Sequence, residues 1–239
     1  MFRCSMVSKY NQFCPIAKGA EIVATRWTPL VLRELMCGGR TFNDIHRGVP
    51  LMSRALLVER LRQLEEDGVV ERRERYGGKG HDYRLTGAGE ALRPVIETIG
   101  QWALAYGHDR IENGDHDSVV LMWGLHRRVD RSLLPPGRTV LRFELSGVAR
   151  SSRSVKLYWL LLTRAEVDVC TKDPGFPVDV TISGPIASLI EVYLGYVTWA
   201  HATRKDLRVR GHQTVTSKVE RWLRLDLVVG RDLPIVPAA

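Results

Sequence analysis

Apolar residues near the middle of the first half of the chain recur at the spacing of an α-helix. Leu57, Leu61 and Leu64 stand four and three positions apart, which places their side chains on one helix face. Ser53 is a residue type that caps helix N-termini, and Gly68 is one that ends helices. The pattern predicts a helix between these two residues, with an apolar back and a polar front.

Three further helices are predicted upstream of this one. Pro15 and Pro29 each suit the first turn of a helix, where the missing N–H costs no hydrogen bond. The first of these helices is expected to carry Ile16 on its apolar face. Thr41 and Asp44 resemble a capping box that opens a short third helix. The third and fourth helices follow each other across a tight turn, which is the helix-turn-helix arrangement.

Two strand-like segments come next, at positions 69–75 and 82–86, with the glycine-rich segment 77–80 between them. Strand, short turn and strand in this order predict a β-hairpin, or wing. A glycine-rich loop that binds nucleotide phosphates stands between a strand and a helix, so a nucleotide site is not favoured here.

A long amphipathic helix is predicted from Gly87 to Tyr106. Its apolar stripe is wider than a small winged domain needs for its own core. Two explanations stay open: the stripe packs against a second copy of the chain, or it packs against a second domain of the same chain. The residues expected at a dimer interface are Leu92, Val95, Ile96, Ile99 and Trp102.

The second half of the chain has a different pattern. Residues 108–117 are polar and form the predicted linker between a domain at 1–107 and another at 118–239. Alternating strand-like segments dominate the second domain. Strands are expected at 139–146, 156–163, 166–172, 178–183 and 207–211, and helices at 118–134, 185–197, 199–205 and 214–225. The fold class is therefore a mainly α winged helix-turn-helix domain followed by an α+β domain.

Composition and charge add little to this division. Hydrophobic residues make up 44% of the chain and charged residues 26%, which is ordinary globular composition and excludes wholesale disorder. The net charge of +8 favours an anionic partner only weakly, since both halves are basic.

Several functional classes are not favoured by the sequence. Cys4, Cys14, Cys37 and Cys170 lack CxxC spacing, which argues against a zinc ribbon or a disulfide scaffold and for a reducing cytosol. The apolar runs are too short for a membrane span, and the first residues do not resemble a signal peptide. Neither HExxH nor GxSxG occurs. We expect a cytoplasmic protein that is not an enzyme, with no cofactor, metal or membrane association.

The first half closely resembles the HxlR family of winged helix-turn-helix regulators between about residues 10 and 105. The resemblance implies a dimeric, DNA-binding transcriptional regulator, with double-stranded DNA carrying an inverted repeat as its partner. The motifs that carry it are Cys14–Ala17, Arg26–Thr28, Leu32–Leu35, Phe42–Ile45, Met52–Ser53, Glu59–Leu64, Gly68–Arg72, Tyr83–Thr86 and Gly89.

The resemblance implies that the front of the fourth helix contacts DNA, whereas the helix alone also fits a solvated surface. Arg54 is the residue type that makes the bidentate contact to guanine. Ala55 stands where the family usually has Arg, and Val58 where Ser is frequent, which leaves the operator sequence open. The full expected set of DNA-contacting residues is Thr41, Ser53, Arg54, Ala55, Val58, Glu59, Arg62, Arg75, Lys79 and His81.

Cys14 is a candidate redox sensor. A helix N-terminus stabilises a thiolate, and some relatives sense oxidants through a cysteine at this position. The alternative is a small buried core residue, which is the common role of a free cysteine. A redox-responsive regulator is therefore a second functional hypothesis.

The second half resembles the sterol-carrier-protein type-two fold over roughly residues 115–230. The carrying segments are Val178–Pro185, Leu189, Tyr193–Gly195, Trp199–Ala202, Leu207–Gly211 and Trp222. This fold implies a hydrophobic cavity that takes a lipid-like small-molecule effector, whereas each residue alone also fits a closed core. The expected lining residues are Phe143, Trp159, Leu161, Val180, Leu189, Tyr193, Leu194 and Trp199. A lipid carrier whose winged domain mediates protein contacts is the third hypothesis.

Overall fold

A computed structural model describes residues 9–75, 80–149 and 155–236. The chain divides into two compact units, one containing the described residues up to Gly100 together with Val236, and the other containing Gln101–Ile235. The division falls inside one helix. Residues of the predicted linker form two short 3₁₀ turns, His108–Arg110 and Asn113–Asp115, in the second unit.

The first unit has the element order of a winged helix-turn-helix domain. Four helices precede an antiparallel hairpin, and two helices follow it. Lys79 and the rest of the predicted wing tip at 76–79 lie outside the described residues. The elements are α1 (Pro15–Val23), α2 (Thr28–Met36), α3 (Phe42–Gly48), α4 (Arg54–Glu66), β1 (Val70–Glu74), β2 (His81–Leu85), α5 (Gly87–Glu90) and α6 (Arg93–Tyr106).

The caps predicted for α3 and α4 form as expected, whereas Thr28, a candidate cap by its place before Pro29, is the first residue of α2 and makes no capping hydrogen bond. The Thr41 hydroxyl accepts a hydrogen bond from the Asp44 N–H at 3.2 Å, and the Asp44 carboxylate accepts one from the Thr41 N–H at 3.1 Å. Ser53 caps α4 by accepting from the Leu56 N–H at 3.2 Å. Both caps satisfy backbone donors that a helix start leaves free, which fixes the start of α3 and the start of α4.

Two local expectations differ from the structure. Ile16 is 82% exposed on α1, and its neighbour Ala17 is buried instead. The helix expected from Gly87 to Tyr106 forms as α5 and α6, with a turn at residues 91–92. Pro94 explains the break, because it has no N–H to donate to the Glu90 carbonyl and its ring crowds that carbonyl.

A buried carboxylate joins α2 to the end of α3. Glu34 is 1% exposed and accepts a hydrogen bond from Nε of Arg33 at 2.8 Å. The same guanidinium donates to the Gly48 carbonyl at 2.9 Å. A Cβ atom on Gly48 would stand 1.9 Å from Cδ of Glu34, so only glycine fits there.

The second unit is an α+β domain built on one five-stranded sheet. Strand order is β5-β4-β3-β6-β7; β3 and β6 are parallel, and the other neighbours are antiparallel. The elements, after α6, are α7 (Ser118–Arg128), β3 (Thr139–Ser146), β4 (Val155–Leu162), β5 (Val167–Cys170), β6 (Val180–Pro185), α8 (Ile186–Leu194), α9 (Trp199–Lys205), β7 (Arg208–Gly211), α10 (Gln213–Thr216) and α11 (Val219–Trp222).

Three helices of this unit are shorter than the sequence pattern predicts, and one of them is α8, which ends at Leu194 instead of 197. α7 ends at Arg128, before the Pro135 expected to end it, and the last predicted helix forms as α10 and α11. Arg128 is buried and donates to the carbonyls of Tyr193, Arg224 and Leu227 at 2.5–2.9 Å, while burial lowers its pKa. The end of α7 is thus tied to the end of α8 and to the C-terminal segment.

The core of the second unit lies on one face of the sheet. Leu141, Phe143 and Leu145 of β3 alternate along the strand and pack with apolar residues of α7, α8, α9 and α11. Within the described ranges, no helix is long and apolar enough to cross a membrane. The same ranges contain no group of three His, Cys, Asp or Glu side chains placed to hold a metal ion.

Candidate nucleic-acid interface

The front of α4 is an exposed surface built on a rigid back. Leu57, Leu61 and Leu64 are fully buried, which fixes the rotation of the helix about its axis. Ala55 and Val58 lie off this buried stripe and are exposed, and Arg54, the first residue of the helix, is exposed as well. An α-helix presented in this way fits the major groove of DNA with its N-terminal side chains toward the bases.

Arg54 is held in place by two residues of α3. Its Nη2 donates to Oδ1 of Asn43 at 3.0 Å, and its guanidinium lies 4.7 Å from the centre of the Phe42 ring. Among the described residues, no carboxylate lies within ion-pair distance of Arg54. The guanidinium therefore combines a fixed position with an unneutralised charge.

Arg62 is in the opposite electrostatic situation. Its guanidinium pairs with Glu59 at 2.8 Å and also with Glu66 one turn further on. These contacts lower the pKa of Glu59, chiefly through the hydrogen bond from Arg62, and raise that of Arg62. Two of the residues expected to contact DNA thus bind each other, and the C-terminal half of the α4 front carries no surplus positive charge.

Thr41 and Ser53 have structural partners in the free protein. Their hydroxyls cap α3 and α4, and the Thr41 hydroxyl also donates to Oδ2 of Asp44 at 2.7 Å. Ser53 is exposed next to Arg54, whereas Thr41 is half-buried. Thr41 thus precedes α3, and Ser53 precedes α4.

The basic residues of the wing differ in how far acidic neighbours neutralise them. Arg73 pairs with Glu71 at 2.7 Å, whereas Nε of Arg75 stands 4.0 Å from Asp82. His81 is exposed opposite Glu74 in the hairpin register. Positive charge near the described end of the hairpin therefore comes chiefly from Arg75.

Helix α6 carries an exposed apolar stripe. Val95, Ile99 and Trp102 follow one another at positions i, i+4 and i+7 and are 42%, 47% and 52% exposed. Ile96 is buried in its own chain and Leu92 is half-buried, so these two residues of the expected dimer set face inward wholly or in part. The surface available to a partner is narrower than the set named from the sequence.

Cys14 stands at the N-cap position of α1 and is half-buried. Its side chain makes no capping hydrogen bond. The nearest basic residue along the helix is Lys18. Its ammonium group donates to the Glu21 carboxylate at 3.2 Å. The feature that could stabilise a thiolate at Cys14 is therefore the N-terminus of α1.

The residues expected to line a ligand pocket divide between two faces of the second unit. Phe143, Val180, Leu189 and Trp199 belong to the closed hydrophobic core. Trp159 and Leu161 alternate with the core residues Tyr158 and Leu160 along β4, which places them on the other face of the sheet. Tyr193 and Leu194, at the end of α8, are half-buried. These eight residues do not share one surface, since strand alternation separates neighbours.

Phe42 and Asn43 are the site residues that sequence reasoning missed. Both belong to a quoted motif, but the pattern of α3 assigned them no role. Their contact with Arg54 spans eleven positions and two elements, so no helical or strand period contains it. An aromatic residue followed by an amide, at the start of the helix before the recognition helix, is the signal that was available.

Comparison with known proteins finds relatives for the first part of the chain. The family model described as HxlR-like helix-turn-helix matches residues 22–110. Two regulators of Bacillus subtilis are similar: the uncharacterized HTH-type regulator YvaP is 35% identical, covering 39% of this chain and 88% of that protein. The HTH-type regulator YodB is 34% identical, covering 39% and 85%. The solved structure of quinone-bound YodB is 32% identical, covers 39% of this chain and 99% of that chain, and has a TM-score of 0.35.

Proposed function

This chain belongs to the family of HxlR-like helix-turn-helix transcriptional regulators, and we propose that it binds an inverted-repeat operator as a homodimer. The observation that carries the proposal is Arg54, an exposed, unneutralised and positioned guanidinium at the first residue of α4. This is the group that recognises O6 and N7 of guanine in the major groove.

The family also decides the question of enzyme activity. The relatives are HTH-type transcriptional regulators, which are not enzymes, and this confirms the expectation drawn from the sequence. We therefore propose double-stranded DNA as the main binding partner of this chain.

Dimerisation is supported by the stripe on α6. Three large apolar side chains exposed along one helix are costly in water, and a second copy of the helix would cover them. A two-fold axis then relates two α4 helices, which contact successive major grooves about one helical turn apart. An operator read in this way is an inverted repeat.

The second unit is proposed to be a sterol-carrier-like domain that takes a hydrophobic small-molecule effector. Support comes from the mixed sheet, with its parallel pair β3 and β6 at the centre, and from helices packed on one of its faces. An effector that binds one DNA-competence state more tightly shifts the population toward that state.

Redox control through Cys14 is a second candidate, favoured by the position of the thiol at a helix start and its partial exposure. Comparison of DNA affinity with and without diamide, for the wild type and Cys14→Ser, tests it. We expect a change only in the wild type, and equal responses of the two proteins would exclude Cys14 as the sensor.

The experiment for the main proposal is selection of duplexes from a random library by the full chain, followed by fluorescence anisotropy on the selected sequence. We expect an enriched motif with two-fold symmetry. Enrichment of a single half-site would contradict the dimer, and absence of any motif would contradict sequence-specific binding. Native mass spectrometry with added palmitate tests the effector separately; a lipid complex without DNA binding would favour the carrier hypothesis.

A further inference from the structure

We propose that Asn43, on α3, is a specificity-determining residue that reads DNA together with Arg54 of α4. The inference deepens the proposed function and rests on it. It assigns a base-reading role to a side chain outside the recognition helix.

The hydrogen bond between the two residues uses Oδ1 of Asn43 and leaves its amide nitrogen unengaged. Its Oδ1 is occupied by Nη2 of Arg54 at 3.0 Å. Its amide nitrogen has two N–H groups, and no described residue accepts from them. Asn43 is also exposed. An amide whose oxygen is directed at Arg54 keeps both N–H groups available, and it can donate to O6 or N7 of guanine or to O4 of thymine.

Phe42 holds Arg54 from the other side. The guanidinium lies 4.7 Å from the centre of the Phe42 ring, a distance at which cation–π attraction operates. The Phe42 ring in turn stacks on the His46 ring, with centres 6.1 Å apart and planes within 10°. Nε2 of His46 is 3.0 Å from the Met52 carbonyl. A continuous set of contacts thus links the position of Arg54 to the turn between α3 and α4.

The positive charge of Arg54 is not neutralised, because the nearby carboxylates bind other residues. Asp44, next to Asn43, accepts from Thr41 through Oδ2 and pairs with Arg47 through Oδ1 at 3.6 Å. Glu59 pairs with Arg62. The positive charge on the α3–α4 surface is consequently concentrated at Arg54, where Asn43 adds neutral donors beside it.

Recognition of two adjacent acceptors follows from this geometry. Arg54 presents its remaining N–H groups to one guanine, and Asn43 donates to an acceptor on the neighbouring base pair. Asn43 also lowers the entropy that Arg54 loses on binding, because the guanidinium is already placed before DNA arrives.

The test is duplex selection and anisotropy with the full-length wild type, Asn43→Ala, Asn43→Asp and Arg54→Ala. A guanine contact contributes roughly five- to a hundredfold in affinity, so Arg54→Ala should lose that much on the selected duplex. Ordering of one long side chain corresponds to about two- to twelvefold. Asn43→Ala should lose at least that much, because it also loses its own contact to the adjacent pair. Asn43→Asp should approach Arg54→Ala, since the new carboxylate neutralises the guanidinium.

Base preference is the readout that separates reading from a structural role. Asn43→Ala should lose preference at the guanine lost in Arg54→Ala and at one adjacent pair, with binding to scrambled duplex unchanged. Asn113→Ala, an exposed asparagine of the second unit, is the matched control and should keep the wild-type motif.

The outcomes distinguish this inference from the proposed function. If the wild type enriches no motif, the proposed function fails. If it enriches a motif that Asn43→Ala retains at every position, or if Asn43→Ala weakens all duplexes equally, Asn43 does not determine specificity. Urea unfolding of each variant verifies that the fold is intact; Asn43→Asp, an exposed polar exchange, serves if Asn43→Ala is unstable.

Discussion

Single residues in the first unit are fixed by contacts with almost no free space. Gly48 lies against the buried carboxylate of Glu34, and its carbonyl accepts from Arg33, so three residues of two helices depend on one missing side chain. Arg54 depends in a similar way on Asn43 and Phe42. In both cases a contact between elements sets the side-chain position that function requires.

Gly48→Ala should destabilise the first unit. The added methyl group would overlap the Glu34 carboxylate, and overpacking of this kind costs about 1–3 kcal/mol. Gly19→Ala is the control, because nothing lies within 4 Å of its added Cβ and alanine favours a helix over glycine by up to about 1 kcal/mol. Urea unfolding should show opposite shifts; equal midpoints would contradict the packing of Gly48.

At the scale of elements, α4, the wing and α6 carry the surfaces proposed for DNA and for a partner chain. α4 has Leu57, Leu61 and Leu64 on its buried back and Arg54 at its start. The hairpin adds basic charge beside it. α6 shows a stripe, Val95, Ile99 and Trp102, that is about half exposed.

Substitution of Arg75 and Lys79 by alanine should flatten the salt dependence of DNA binding. Each phosphate contact contributes about 0.9 to the slope of log affinity against log salt, so loss of two contacts lowers the slope by about 1.8. Anisotropy between low and moderate salt measures it. Arg73→Ala is the comparison, since Glu71 already neutralises Arg73 and the slope should change less. An unaltered slope in the double variant would remove the wing from the interface.

Ile99→Asp should convert the dimer into a monomer. A carboxylate at the centre of the stripe would be buried without a partner in the dimer, which is strongly unfavourable. Sedimentation equilibrium at micromolar concentration reports the change. Gln101→Asp, an exposed position of the same helix that is not three, four or seven residues from any member of the stripe, should stay dimeric. If both variants keep the wild-type mass, α6 is not the interface.

The elements that sequence predicts best are those with a simple period. The spacing of Leu57, Leu61 and Leu64 predicts the buried side of α4, and these residues are buried. The strand predicted at 139–146 forms as β3 with the same bounds. Expectations failed where a residue far along the chain decides the outcome. Ile16 has a helical period but lies on the exposed side of α1, and the Arg54–Asn43 contact joins positions that no period relates.

At the scale of the whole molecule, the chain contains two compact units whose cores are built from different residues. The core of the second unit is formed by residues from Leu121 to Leu225. Five of the six tryptophans, all except Trp27, belong to that unit. Fluorescence therefore observes mainly one unit, while DNA binding reports on the other.

Phe143→Ala should lower the unfolding midpoint seen by tryptophan fluorescence. Phe143 is fully buried, and its removal leaves a cavity that costs about 3–5 kcal/mol. Affinity for the selected duplex, measured without urea, should change little. Leu57→Ala, an equally buried residue of the first unit, should show the converse pattern. Equal effects of both variants on both measurements would mean that the units unfold as one.

The pairing of Arg62 with Glu59 and Glu66 has a consequence for how this regulator changes over evolution. A guanidinium already stands on the α4 surface that we propose contacts DNA, but its charge is neutralised by its own helix. One nucleotide change that replaces Glu59 by glutamine would weaken that neutralisation without adding a new side chain to the fold. We therefore expect that few substitutions would change the operator preference, because α4 already contains the Arg62 guanidinium that a new base contact would use.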